Sequence, residues 1–187
     1  TNVGKVAMSG QVHGTEILLA DKSVMEKGYD AIISNTHDLM LAVSIADCTP
    51  ILIHDTKNNA IAAIHAGWRG TAAEIVSKTL LKMQQHFNTK AENCLAFIGA
   101  CISYNAFEVG DDVAQHFDES VKRFDSSKQK YFVDLKSANK NQLLKNGVLE
   151  KNIEVSEYCT VTNNDLFFSH RKEKGLTGRM MAVIKIN

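Results

Sequence analysis

Apolar and small or polar residues alternate from Val6 to Val12, the period of a half-buried strand, and the run stops at His13-Gly14. Two short strands are predicted next, over residues 17–20 and, after the turn residue Gly28, over residues 29–34. Residues 39–46 are then almost continuously apolar, as expected of a strand covered on both faces. Asp47-Cys48-Thr49 breaks the run, Pro50 cannot donate to a ladder, and the strand resumes over residues 51–53. Turn chemistry over residues 55–59 and a return strand over 60–64 complete a hairpin. With the turn centred near Lys57, Cys48 and His65 lie nine and eight positions from it, so antiparallel pairing predicts that they stand almost opposite each other.

After Gly70 the period lengthens. Ala72, Val76, Leu80, Met83 and Phe87 recur at spacings of four and three, which predicts one amphipathic helix over residues 71–87. Its first turn follows Trp68-Arg69-Gly70, so free N–H groups and a positive dipole end are expected near His65, where an anion could be held. Downstream, the pattern predicts a buried strand over 95–99 and a short helix from Val109 to about Phe117. A helix over 135–145 follows, N-capped by Asp134 and stopped by Gly147, then a strand over 153–156 and a long closing strand over 178–186. Strands and helices are interleaved, with some hairpins. The expected class is α/β, a mixed sheet with flanking helices, in a single domain spanning residues 1–187.

Composition narrows the function classes. Lys plus Arg and Asp plus Glu balance at 21 each, which argues against a basic nucleic-acid footprint and against a polybasic membrane anchor. No apolar run approaches the ~20 residues of a membrane span, and the N-terminus does not read as a secretory signal. Four widely spaced cysteines (Cys48, Cys94, Cys101, Cys159) suit free thiols in a reducing compartment, so a cytoplasmic location is expected. The first residue is Thr1, consistent with a processed, trimmed or partial chain. A small-molecule substrate, without nucleic acid or membrane, and a monomer or homodimer are the expected partners.

The candidate chemistry gathers at strand ends. His13, Cys48 and His65 lie 35 and then 17 residues apart. Two imidazoles and a thiolate suit zinc or copper, and three protein ligands leave one position of a zinc tetrahedron open, the catalytic arrangement. Spacing alone leaves an inert buried Cys48 and a surface His13 as equal alternatives. A metal-free pairing, with Cys48 as nucleophile and His65 as base, is a third possibility. Cys94, Cys101 and Cys159 read as core or near-surface thiols, and His37, His54, His86 and His116 as solvated. His170 sits beside a predicted turn and is compatible with either role. Arg69, Arg171 and Arg179 are the cationic candidates for an anionic substrate group. Dinucleotide and phosphate-binding glycine loops, the zinc nucleobase-deaminase signature and a nucleophile elbow are all missing from the sequence.

The blocks Gln11-Val12-His13-Gly14, Ala46-Asp47-Cys48-Thr49-Pro50 and His65-Ala66-Gly67-Trp68-Arg69-Gly70 closely resemble the signatures of one family. It is the YfiH-type family, also described as multicopper polyphenol oxidoreductase (laccase-like) or peptidoglycan editing factor proteins. Ile98-Gly99-Ala100-Cys101-Ile102, Phe107-Glu108-Val109-Gly110, Phe168-Ser169-His170-Arg171 and Thr177-Gly178-Arg179 extend the resemblance over essentially the whole chain. It implies an α/β fold shared with bacterial cytotoxic-factor-like cysteine hydrolases and a metal held by His13, Cys48 and His65. It implies phosphorolysis of adenosine, inosine and methylthioadenosine with adenosine deamination, zinc as cofactor, and copper with phenol oxidation as the alternative. Peptidoglycan-precursor editing by a cysteine and a histidine is a further alternative. On this reading Cys48, His65 and Arg69 are catalytic, and Arg69, Arg171 and Arg179 bind purine nucleoside and phosphate. A four-copper laccase needs His-x-His pairs, whereas this chain has seven histidines and no such pair. Ala100 and His170 depart from the family's usual proline and tyrosine. Members also carry several dozen residues before Gln-Val-His-Gly where this chain has ten, so part of the pocket wall is expected to be missing.

Overall fold

The computed structural model describes residues 4–187. Its first half runs β1 (Lys5–Gly10), β2 (Ile17–Leu19), β3 (Val24–Lys27), β4 (Ala31–Ser34), β5 (Leu39–Ile45), β6 (Thr49–Asp55) and β7 (Ala60–Ala66). Helices α1 (Trp68–Ala72) and α2 (Ile75–Phe87) follow, then β8 (Cys94–Ile98), β9 (Glu108–Val109) and α3 (Asp111–Ala114). The chain closes with β10 (Lys122–Asp125), β11 (Lys130–Val133), α4 (Leu135–Lys145), β12 (Ile153–Val155) and β13 (Met180–Lys185).

Two mixed sheets and a helical layer stack on one another. The six-stranded sheet, ordered β12-β8-β6-β7-β4-β2, lies in the middle. On one face it packs against the four-stranded sheet β13-β5-β1-β3 through Ala7, Leu18, Ile32, Leu39, Leu41, Val43, Ile61 and Ala63. On the other face it packs against α2 and α4 through Ile33, Ile51, Ile53, Ile64, Ile75, Leu80, Met83 and Leu143. All seven positions of β7 are buried because the strand is central in its sheet and covered on both sides. Its alternation of alanine and isoleucine matches that setting: small residues admit neighbouring layers closely, and β-branched ones fill the pleat. A small third sheet, β10-β11-β9, builds a satellite core with α3 around Phe107, Val109, Phe117, Val133 and Leu135. Among the described residues, no helix is long and apolar enough to cross a membrane.

The α/β class with mixed sheets and flanking helices is the fold observed. Three local expectations change. The single helix expected over residues 71–87 is two, because Glu74 adopts a left-handed conformation (φ 59°) and restarts the chain as α2. Pro50 does not end a strand: it lies inside β6, opposite His65, and its carbonyl accepts the Gly99 N–H at 2.9 Å. The short helix expected from Val109 begins only at Asp111, since Glu108–Val109 pair with β11. The strands β3, β9, β10 and β11 are not predicted by the pattern: each has four residues or fewer, too short for a period to show, and β3 and β10 are rich in charged residues.

Removing bulk from the middle layer tests this packing. Ile64→Ala is expected to cost about 2–5 kcal/mol, seen as a lower urea midpoint at unchanged denaturant slope.

Candidate functional site

The site is built where four chain segments meet beyond the ends of β1, β5 and β7. His13 lies in a tight turn after β1 and has a left-handed backbone (φ 62°). That turn is held by one buried carboxylate. Asp30 accepts the backbone N–H groups of Val12 at 3.1 Å, His13 at 2.9 Å and Gly14 at 2.7 Å. The same carboxylate lies 2.8 Å from Nδ1 of His65, and the Asp30 carbonyl accepts the His65 N–H at 2.7 Å. A carboxylate can only accept, so Nδ1 of His65 carries the proton and Nε2 keeps its lone pair for the cavity. Asp30 therefore shapes one histidine's turn and sets the other's tautomer.

Cys48 follows Asp47, a second residue with positive φ (84°), in the short connection between β5 and β6. The Asp47 carboxylate accepts the Thr160 hydroxyl and, at 2.6 Å, the Arg171 N–H, while its carbonyl accepts the Ile102 N–H at 3.0 Å. Two left-handed aspartate and histidine residues at one site are strained positions that these bonds hold in place. The observed register pairs His65 with Pro50, so the thiol lies just past the ladder rather than directly across from the imidazole. His13, Cys48 and His65 nevertheless converge, with ligand atoms all within 4.8 Å of one another. The two imidazoles meet edge to face, centroids 4.9 Å apart. Gly67 makes this possible: a Cβ there would sit 2.8 Å from Cδ2 of His13 and 3.3 Å from Sγ of Cys48. The cradle and its two-nitrogen, one-sulfur donor set fit a first-row transition ion, and no other group of three such donors stands together among the described residues.

The electrostatics agree with that donor set. Burial, with nearby His65, holds His13 below the usual imidazole value, favouring the neutral ring that can donate a lone pair. Burial, with the Asp47 carboxylate beside it, pushes the Cys48 thiol up to about 12. A cysteine meant to act as a bare nucleophile needs the opposite shift, so this environment does not favour the metal-free cysteine–histidine reading. For Asp30, burial alone would raise the pKa, but the His65, Gly14 and Val12 hydrogen bonds outweigh it and hold the carboxyl below its ordinary range.

The three donors open onto a cavity of about 540 Å³, within the usual range for a small-molecule site. Trp68, Ile102, Phe107 and Leu135 form its apolar side, and Ser9, Gln11 and Ser44 its polar side. Gln11 is locked, its amide bonded to both the N–H and the carbonyl of Ser44. The three arginines separate. Arg69 is exposed, outside the lining, with its guanidinium stacked 4.4 Å over the Trp68 ring. The expected anion-holding wall of Arg69 plus a long-helix terminus is not formed, because α1 is a single turn and α2 starts away from the cavity at Ile75. Arg171 lines the cavity but spends its guanidinium on the carbonyls of Glu108 and Ala106. Arg179 also lines it and uses only Nη1, on the carbonyls of Thr177 and Gly178. Cys101 and Cys159 are buried partners across an isolated bridge, outside the cavity lining.

Sequence reasoning missed Asp30, the most connected polar residue of the site. Its signal was present: a single carboxylate flanked by Tyr29 and the apolar run 31–33 must be paired if buried. The roles of Gly67 and of the Ile102–Phe107–Leu135 wall carried no local signal, since they arise from contacts across the fold.

The family described as "Multi-copper polyphenol oxidoreductase laccase" matches residues 1–187. A protein of Bacteroides thetaiotaomicron named purine nucleoside phosphorylase is 39% identical over 193 aligned positions, covering 95% of this chain and 72% of that protein. The Shigella flexneri protein named purine nucleoside phosphorylase YfiH is 37% identical, covering 93% and 71%. For a Staphylococcus epidermidis relative the chain spans only 60% of the relative's length. Among solved structures, YfiH of Bacillus licheniformis superposes with a TM-score of 0.94 at 27% identity, over 100% of this chain and 76% of that one. YlmD of Geobacillus stearothermophilus gives 0.92 at 33% identity, over 98% and 74%.

Asp30→Ala is expected to lower stability by about 3–5 kcal/mol, because it strands the buried His65 ring N–H and three part-buried backbone N–H groups at once. The sign of the pH effect follows from the lowered pKa: the stabilisation is present above the unfolded carboxylate pKa and is lost as pH falls through the folded value. Denaturant midpoints measured from neutral pH down to about pH 3 should therefore fall more steeply for the wild type than for Asp30→Asn.

Proposed function

The chain belongs to the multi-copper polyphenol oxidoreductase laccase family, and within it we propose that this protein is a metal-dependent purine nucleoside enzyme. The reaction is phosphorolysis of adenosine, inosine or methylthioadenosine to the free base and ribose 1-phosphate, with adenosine deamination at the same site. One observation carries the reading: His13, Cys48 and His65 converge on a cavity that has both an apolar wall and a cationic rim. The names borne by relatives at 36–39% identity point the same way.

His13, Cys48 and His65 would hold the ion, with zinc favoured because three protein ligands leave a tetrahedral position open. Bound there, zinc would supply Lewis-acid stabilisation of developing negative charge. The protein does the rest. Trp68, Ile102, Phe107 and Leu135 offer a planar base an apolar surface and exclude water from it. Arg179, with Nε and Nη2 uncommitted among the described residues, orients phosphate, and a guanidinium fork suits that geometry. Arg171 contributes positive charge from a fixed position while its N–H, through Asp47, ties the 169–171 segment to Cys48. Asp30 keeps Nε2 of His65 directed as an acceptor.

The second reading is a copper-dependent phenol oxidase. The family's description and the His-Cys-His donor set favour it, although this set holds one copper ion at most.

Metal-analysed protein incubated with adenosine, inosine or methylthioadenosine decides between them. Phosphate-dependent ribose 1-phosphate and free base, with inosine formed from adenosine, is the expected result. Failure to form any of these products would overturn the proposal, and stoichiometric copper with oxidation of phenols would establish the second reading. Cys48→Ala and His65→Ala should each lower turnover by more than about a hundredfold, beyond what outer-shell changes cause. Gly67→Ala should fold but lose bound metal, measured by elemental analysis, because its methyl group displaces the His13 ring.

A further inference from the structure

We propose that His170 is the general acid of this site, delivering a proton to N7 of the departing purine. The assignment rests on the phosphorolytic reading above and adds to it a residue for the step that reading leaves open. In phosphorolysis a phosphate oxygen forms the new bond to C1′ as the C1′–N9 bond breaks, and the electron pair of that bond moves onto the base. A purine leaves far more readily as a neutral molecule than as an anion, so a proton placed on N7 as the bond breaks lowers the barrier. The products are then ribose 1-phosphate, neutral base and a neutral imidazole, which regains its proton from solvent.

The cavity leaves one side chain for this task. His13, Cys48 and His65 are committed to one another as the donor cluster. Both Asp47 carboxylate oxygens accept hydrogen bonds, from Thr160 and from the Arg171 N–H. Arg171 and Arg179 are guanidinium groups and do not release protons at neutral pH. His170 lines the same cavity, is exposed, and its ring makes no hydrogen bond among the described residues. Imidazole is also the side chain best able to give and regain a proton near neutrality.

The backbone around it is fixed while the ring is free. Ser169 is fully buried and its carbonyl accepts the Glu173 N–H at 3.0 Å. Arg171 is anchored on Asp47 at 2.6 Å, and the His170 carbonyl accepts the Gly175 N–H at 2.9 Å. Gly175 has a positive φ of 89°, and a Cβ there would lie 3.5 Å from Nε2 of His170, so the turn packs directly under the ring. The other titratable and charged groups lining the cavity are His13, Asp47, Cys48, His65, Arg171 and Arg179.

The test compares inosine with 7-methylinosine, whose base already carries positive charge and leaves as a neutral molecule without a proton. His170→Phe and His170→Gln should each lower kcat for inosine phosphorolysis about a hundredfold, with little change in KM, and lower it less than about threefold for 7-methylinosine. Thermal midpoints should stay at the wild-type value, as the ring is exposed. Equal loss on both nucleosides, or no loss on either, would overturn the assignment, as would a wild type that cleaves only 7-methylinosine. A wild type that cleaves neither nucleoside removes the phosphorolytic reading and this assignment with it.

Discussion

The carboxylate of Asp30 is the interaction on which the site depends. It is buried, it accepts three consecutive backbone N–H groups from the turn that carries His13, and it bonds the ring of His65. A carboxylate removed from water at such cost stays ionised only if donors surround it, and here the donors are the elements that must be brought together. One charge therefore joins a turn after β1 to a position near the end of β7, two segments more than fifty residues apart. Asp47 repeats the device on the opposite side, binding Thr160 and the Arg171 backbone beside Cys48.

These polar junctions work because the layers beneath them are apolar and close-packed. β6 and β7 form the centre of the middle sheet, and their buried alanine and isoleucine residues leave little freedom of register. The left-handed conformations of His13 and Asp47 sit at the edge of that rigid slab. Strain of this kind persists where surrounding contacts over-determine the backbone, which is the condition at the mouth of this cavity.

The cationic groups illustrate how packing sorts residues of the same type. Arg69 is spent on the face of Trp68, Arg171 on the carbonyls of Ala106 and Glu108, and Arg179 lines the cavity with Nε and Nη2 unbonded among the described residues. The break between α1 and α2 has the same consequence for backbone charge. It starts the longer helix at Ile75, outside the cavity lining.

The sequence by itself determined the α/β class and most of its central strands and helices. Continuous apolar runs at residues 39–46 and 60–64 could only be buried strands, and the 135–145 helix announced itself through Asp134 and Gly147. The blocks around His13, Cys48 and His65, through their resemblance to one family, singled out the three side chains that the fold brings together. Tertiary structure alone decided what surrounds them. Asp30's four partners, the space that Gly67 leaves open, the apolar wall from Ile102, Phe107 and Leu135, and the dismissal of Arg69 all depend on distances between segments far apart in the chain. Local periodicity records which face of an element is buried; it holds no record of which distant atom fills the space opposite, and at this site that atom sets the chemistry.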